Sequence, residues 1–74
     1  MRTTKNVSVR EMWYGFAVYN NGVVVARTGY SKDARNMAFA IAKVEGKGVR
    51  METDYHHDRY TAKQVQERCE EVII

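Results

Sequence analysis

Asp54-Tyr55-His56-His57-Asp58 is where this chain gathers ligand-type side chains. Two imidazoles and two carboxylates in one short stretch could hold zinc or another divalent cation. Adjacent histidines diverge on an extended backbone, however, and no Cys-x-x-Cys or His-Glu-x-x-His frame accompanies them. A solvated loop is the simpler reading. A pH-sensitive contact is the intermediate one, because histidine titrates near neutrality. Ser8, Ser31, Cys69 and the histidines form no nucleophile, base and orienting partner that spacing can reveal. Lys43-Val44-Glu45-Gly46-Lys47-Gly48 has the glycines and lysines of a phosphate loop but not its frame, since Gly48 is followed by Val49. A helix C-terminus explains it better. No catalytic residue, metal site or cofactor is assigned, and the expected function is non-enzymatic binding.

Two sets of residues could carry that binding. The first is acidic and aromatic: Tyr55, His57 and Tyr60 in the loop, then Glu67, Glu70 and Glu71 on the following helix. These would meet a host or cellular protein, and the carboxylates could imitate phosphates toward a basic cleft. The second is basic: Lys32, Arg35, Lys43, Lys47 and Arg50 around the first helix, suited to the phosphates of a nucleic acid. Trp13, Tyr19 and Tyr30 could stack on unpaired bases, although core or dimer contacts are the plainer use of aromatic residues. The charge is uneven along the chain. Residues 1–50 carry +6 and residues 51–74 carry −3, for a net +3. The basic part suits a polyanion or an acidic surface. The acidic tail would repel phosphates, and so favours the protein-interaction reading.

The elements that must position these residues follow from periodicity. Trp13–Tyr19 and Val23–Thr28 are rich in aromatic and β-branched residues, the mark of strands. Asn21-Gly22 between them supplies the positive φ values of a type I′ hairpin turn. That turn would put Tyr14, Phe16 and Val18 on one face with Val23, Val25 and Arg27. Trp13, Ala17 and Tyr19 would share the other with Val24, Ala26 and Thr28. Both faces read as largely apolar. Ser31 has the character of an N-cap, and a helix is predicted over Lys32–Glu45. Its apolar stripe is Ala34, Met37, Ala38, Ile41 and Val44, with Phe39 pointing away. Gly46 closes it in the C′ position. Val49, Met51, Thr53 and Tyr55 alternate with Arg50, Glu52 and Asp54 on a third strand, which a polar loop over His56–Tyr60 follows. Thr61 and Gln64 spell a capping box before a second helix over about Ala62–Val72, with Val65, Cys69 and Val72 on its apolar face. Val7 and Val9 alternate with polar neighbours in an extended lead-in, and residues 1–6 read as a frayed end.

The predicted class is therefore α+β, in the order ββαβα: a β-hairpin, a helix, a third antiparallel strand and a C-terminal helix. All 74 residues make one small domain. Two apolar sheet faces under one main helix leave surface uncovered, and so predict a homodimer.

Phe16–Val44 resembles the YegP-like family of small bacterial domains of unknown function. The shared features are an aromatic strand, Asn21-Gly22, an apolar strand ending in Gly29-Tyr30-Ser31, and an alanine-rich helix with Ala34, Ile41 and Val44 at matching spacing. The match covers residues 16–44 of 74 and departs from His56 onward. It implies a strand-strand-helix-strand fold and pairing of two such units. It implies nothing about activity, because the shared positions make turns, caps and packing contacts.

No apolar run approaches the ~18 residues of a membrane span, and Met1–Arg10 lacks the apolar core of a signal peptide. One cysteine fits a reducing compartment, so a cytoplasmic location is expected. Small one-domain proteins of this type are frequent in phages and mobile elements, where many inhibit a host defence protein. That argument rests on type and not on a motif.

Overall fold

Val7 and Val9, read from sequence as a lead-in, lie on the middle strand of the sheet. The computed structural model describes residues 2–52 and 59–68. In it β1 (Asn6–Met12), β2 (Gly15–Asn20), β3 (Val23–Thr28), α1 (Ser31–Glu45), β4 (Gly48–Glu52), β5 (Arg59–Tyr60) and α2 (Ala62–Arg68) follow in chain order. The α+β class is as expected. The sheet is larger and mixed: five strands in the order β3-β2-β1-β4-β5. β4, expected as a third antiparallel strand, runs parallel to β1 and antiparallel to β5. Val7 and Val9 are fully buried because β1 has a strand on each side and helices over one face. Two alternating valines were too short a pattern to show a central strand.

β2 begins two residues later than the hydrophobic run suggests. Trp13 and Tyr14 form the turn between β1 and β2 and are exposed. The next turn is as read: Asn21 (φ 56°) and Gly22 (φ 78°) are both left-handed, as type I′ requires. The register then departs from expectation. Tyr19 faces Val24, but a bulge shifts the pairing so that Val18 faces Ala26 and Phe16 faces Thr28. An extra residue on one strand exchanges the faces beyond it, so Val18 and Phe16 do not share a face with Val25 and Arg27.

The first helix starts at Ser31. Its N-cap is Tyr30, and no side chain caps it. The buried stripe is Ala34, Ala38 and Ala42, with Phe39, and Ile41 is partly buried. Met37 is 36% exposed and Val44 85% exposed. Small residues at every fourth position let the helix lie close over the sheet, and this displaces the longer apolar stripe to one flank. Phe39, expected to point away from the stripe toward an edge or an outside surface, takes the edge: it is 3% exposed and meets Tyr60 of β5, the edge strand, at 5.1 Å. Gly46 adopts the left-handed cap conformation (φ 67°), and Lys47 N–H bonds back to the Ala42 carbonyl.

Val49 and Met51 are buried, and the described part of β4 ends at Glu52, so Thr53, Asp54 and Tyr55 lie outside the described residues. Arg59 and Tyr60, assigned from sequence to a loop, form the edge strand β5. The capping box is present in full: Thr61 N–H donates to Gln64 Oε1 at 2.9 Å, and Gln64 N–H donates to Thr61 Oγ1 at 3.3 Å. Val65 is buried beneath α2; Cys69 and Val72 lie outside the described residues. Residues 2–5 belong to no strand, yet Thr4 is tied down. Its N–H donates to Asn21 Oδ1 at 3.1 Å and its Oγ1 accepts from Asn21 N–H at 3.2 Å.

Candidate binding surface

Both described helices pack on one face of the sheet, and four arginines stand among the side chains that face away from them. On β1, Val7 and Val9 point to the helices, so Ser8 and Arg10 point the other way. Cross-strand partners share a face. Ser8 faces Tyr19 and Arg50, and Arg10 faces Ala17 and Glu52. Ala17 in turn faces Arg27, and Arg50 faces Arg59. Two rows therefore cross the open face: Arg27-Ala17-Arg10-Glu52 and Val24-Tyr19-Ser8-Arg50-Arg59. The expectation of two apolar faces does not hold for this one.

Glu52 organises the centre of the face. Its Oε2 accepts from Arg10 Nε at 3.0 Å, and its Oε1 lies 3.3 Å from Arg50 Nε. The hydrogen bond to Glu52, followed by its charge, raises the Arg10 pKa above its already high ordinary value. The Arg10 guanidinium also sits 4.6 Å from the centre of the Tyr19 ring, a cation–π arrangement. Arg2 and Lys5 join Arg10, Tyr19, Arg50 and Glu52 around a concavity of about 380 Å³. Six of the chain's 12 Lys and Arg residues thus stand on or beside this face, with Glu52 as the one carboxylate that the described residues place there.

The basic set expected from sequence is not assembled. Only Arg50 belongs to this face. Lys32 and Arg35 line a separate concavity of about 440 Å³ at the start of α1, with Phe39, Tyr60 and Arg68. Lys43 is exposed near the other end of that helix. Lys47 is buried: its Nζ donates to Asn20 Oδ1 at 2.7 Å and Asn21 Oδ1 at 2.6 Å, and lies 3.2 Å from Glu45 Oε1. An ammonium with three partners inside the fold has no donor left for a phosphate.

Of the acidic and aromatic set, Tyr60 turns inward onto Phe39 and is half-buried, with the Arg68 guanidinium 4.9 Å from its ring. Glu67 is exposed on α2. Tyr55, His57, Glu70 and Glu71 lie outside the described residues, as does the rest of the Asp54–Asp58 cluster. Among the described residues no three His, Cys, Asp or Glu side chains gather as for a metal ion, and no helix is long and apolar enough to cross a membrane. Of the aromatics proposed for stacking, Tyr19 stands on the basic face. Trp13 (95% exposed) and Tyr30 (72% exposed) stand at one end of the sheet, where Gly15 abuts Thr28 and Gly29.

Arg2, Lys5, Arg10 and Arg59 were missed from sequence. For Arg10 a signal existed, since Ser8 and Arg10 alternate with Val7 and Val9. Arg27 was assigned to a face with Val23 and Val25, which hid its row. Known protein families, curated proteins and solved structures gave no match to this chain.

Proposed function

We propose that this protein is a non-enzymatic binding module that holds single-stranded nucleic acid against the open face of its sheet. The observation that carries the reading is the concentration of Arg2, Lys5, Arg10, Arg27, Arg50 and Arg59 around one carboxylate on the face away from the helices. Guanidinium groups bind phosphate oxygens through paired donors. A broad, shallow sheet face suits an extended strand, and Tyr19 on it, with Trp13 and Tyr30 at its end, offers rings to unpaired bases. The same proposal places the protein in the cytoplasm and has it act as a homodimer.

Fluorescence anisotropy with a labelled single-stranded oligonucleotide tests it. Binding should weaken with salt, the logarithmic slope being about −0.7 per phosphate contacted. The double variant Arg27→Glu/Arg59→Glu should lower affinity and flatten that slope by about 1.4. Lys32→Glu/Arg35→Glu should change it far less. Equal losses from both pairs would reject the sheet face as the contact.

A second reading, a protein-interaction module such as a phage or mobile-element inhibitor of a host protein, is favoured by one observation. Trp13 is almost wholly exposed and held edge-on against Tyr14 at 5.1 Å, and exposed tryptophan is a common anchor at protein interfaces. Recovery of one stoichiometric partner from nuclease-treated bacterial lysate, lost with Trp13→Ala, would favour this reading.

A further inference from the structure

On the helix side of the sheet, three cations line one concavity and no carboxylate lines it with them. Lys32 and Arg35 of α1 and Arg68 of α2 stand there with Asn36, Phe39 and Tyr60. Lys32, Arg35, Asn36 and Phe39 are spaced i, i+3, i+4 and i+7, so they form one stripe of α1. The contact of Phe39 with Tyr60 turns that stripe toward β5, and α2 packs against both α1 and β5. Two helices thus bring like charges to one hollow.

Those charges have no partner among the described residues. Arg10 and Arg50 share Glu52, and Lys47 has Glu45. Lys32, Arg35 and Arg68 make no hydrogen bond or ion pair there. Asp33 and Glu67, the acids beside them in sequence, are exposed and do not line the concavity. Like charges gathered in one hollow repel, and an anion bound between them reverses the sign of that interaction. Arg68 is also oriented: its guanidinium lies 4.9 Å from the centre of the Tyr60 ring, and Tyr60 meets the buried Phe39 ring at 5.1 Å. A guanidinium stacked on a ring keeps its in-plane N–H donors for a ligand.

We propose that this concavity binds a small phosphate monoester with a planar body, of the size of a nucleoside monophosphate. The phosphate meets Lys32, Arg35 and Arg68, the planar body lies against Tyr60, and the Asn36 amide serves its polar edge. A monoester carries about −1.5 to −2 charge near neutrality and three acceptor oxygens, which matches three cations better than the single charge of a carboxylate. The volume, about 440 Å³, falls in the range of about 300–1,000 Å³ typical of small-molecule sites. An inorganic ion would use the cations and leave the rings unused. The site is separate from the sheet face and does not rest on nucleic-acid binding there.

Amide NMR on the intact, isotope-labelled chain tests it, with adenosine monophosphate as the probe. Saturable shifts should centre on residues 31–36, Tyr60 and Arg68, and not on Ser8, Arg10, Tyr19 and Arg50. Inorganic phosphate should bind more weakly at the same residues. Lys32→Ala/Arg35→Ala, at two exposed positions, should weaken binding by about tenfold or more, the worth of one lost charge-assisted hydrogen bond. Arg68→Gln, on the other helix, should weaken it similarly. Arg27→Glu/Arg59→Glu should change it by less than about twofold, because those residues share no partner with the site. An absence of saturable shifts at millimolar probe overturns the proposal, as do shifts confined to the sheet face. Equal affinity for inorganic phosphate overturns it too, because the site would then hold a simple anion only. None of these outcomes bears on whether the sheet face binds an oligonucleotide.

Discussion

Lys47 holds the hairpin turn from 26 residues away: its buried Nζ donates to Asn21 Oδ1 at 2.6 Å. Asn21 is therefore both a left-handed turn residue and the acceptor for an ammonium, and its amide oxygen also accepts from Thr4 N–H. Asn20 Oδ1 and Glu45 Oε1 complete the set around Nζ. Lys47→Met keeps the aliphatic stem but strands these acceptors. Leaving buried polar groups without partners costs about 1–3 kcal/mol. In a domain of this size that is a loss of about 10 °C in Tm. Thermal unfolding checks it, and a Tm within about 2 °C of the parent would mean that water replaces the ammonium without loss.

Phe39→Ala tests the orientation of α1. Phe39 lies in the core between helix and sheet, edge-on to Tyr60. Truncating a buried phenylalanine costs about 3–5 kcal/mol, a large part of the stability of a domain this small. Val44→Ala, at an exposed position, should cost no more than about 0.5 kcal/mol when measured on the monomer by urea unfolding. The reverse order of effects would restore the stripe read from sequence.

Those two residues also show where the sequence was legible. The Asn21-Gly22 turn, the Gly46 cap and the Thr61/Gln64 box were readable because each is local, with donor, acceptor and backbone angle lying within a few residues. The helix stripe was half legible. Ala34, Ala38 and Ile41 were right, but the strongest apolar periodicity favoured Met37 and Val44 over Ala42 and Phe39. The sheet preferred small residues against it, which hydropathy does not encode. The basic face was not legible. It exists only because β4 lies parallel to β1, which sets Arg50 and Glu52 beside Ser8 and Arg10. No local pattern specifies that pairing. Lys47 was counted as a surface cation because two of its three partners, Asn20 and Asn21, lie 27 and 26 residues away in the chain.

Gly48→Ala should disrupt the β4–β5 pairing. A methyl group added at Gly48 would collide with the Tyr60 carbonyl oxygen and with Asn6 Oδ1. Backbone cannot yield as a long side chain can, so β5 would have to move, and Tyr60 with it. Overpacking of this kind costs about 1–3 kcal/mol. Alongside a lower Tm, tyrosine fluorescence or the ring signals of Phe39 should report that the Phe39–Tyr60 contact has changed. An unchanged ring contact would mean that the strands absorb the methyl group in place.

Glu52→Gln should move stability and binding in opposite directions. Glu52 accepts from Arg10 and pairs with Arg50, but the Arg10 side chain is half exposed. Solvent screening limits such pairs to about 0.2–1 kcal/mol each, so Tm should fall only slightly. Because Glu52 raises the Arg10 pKa, the stabilisation it lends is fully present below the unfolded-state pKa. It is lost only as pH rises through the folded value, in strong alkali. Near neutrality Arg10 is charged with or without its partner. The substitution thus removes the single negative charge from the centre of the basic face and frees two guanidinium groups. Affinity for a single-stranded oligonucleotide at low salt should rise several-fold, with a steeper dependence on salt. A simple loss of affinity would show that Glu52 is needed to hold Arg10 and Arg50 in place, and that their orientation outweighs the net charge of the face.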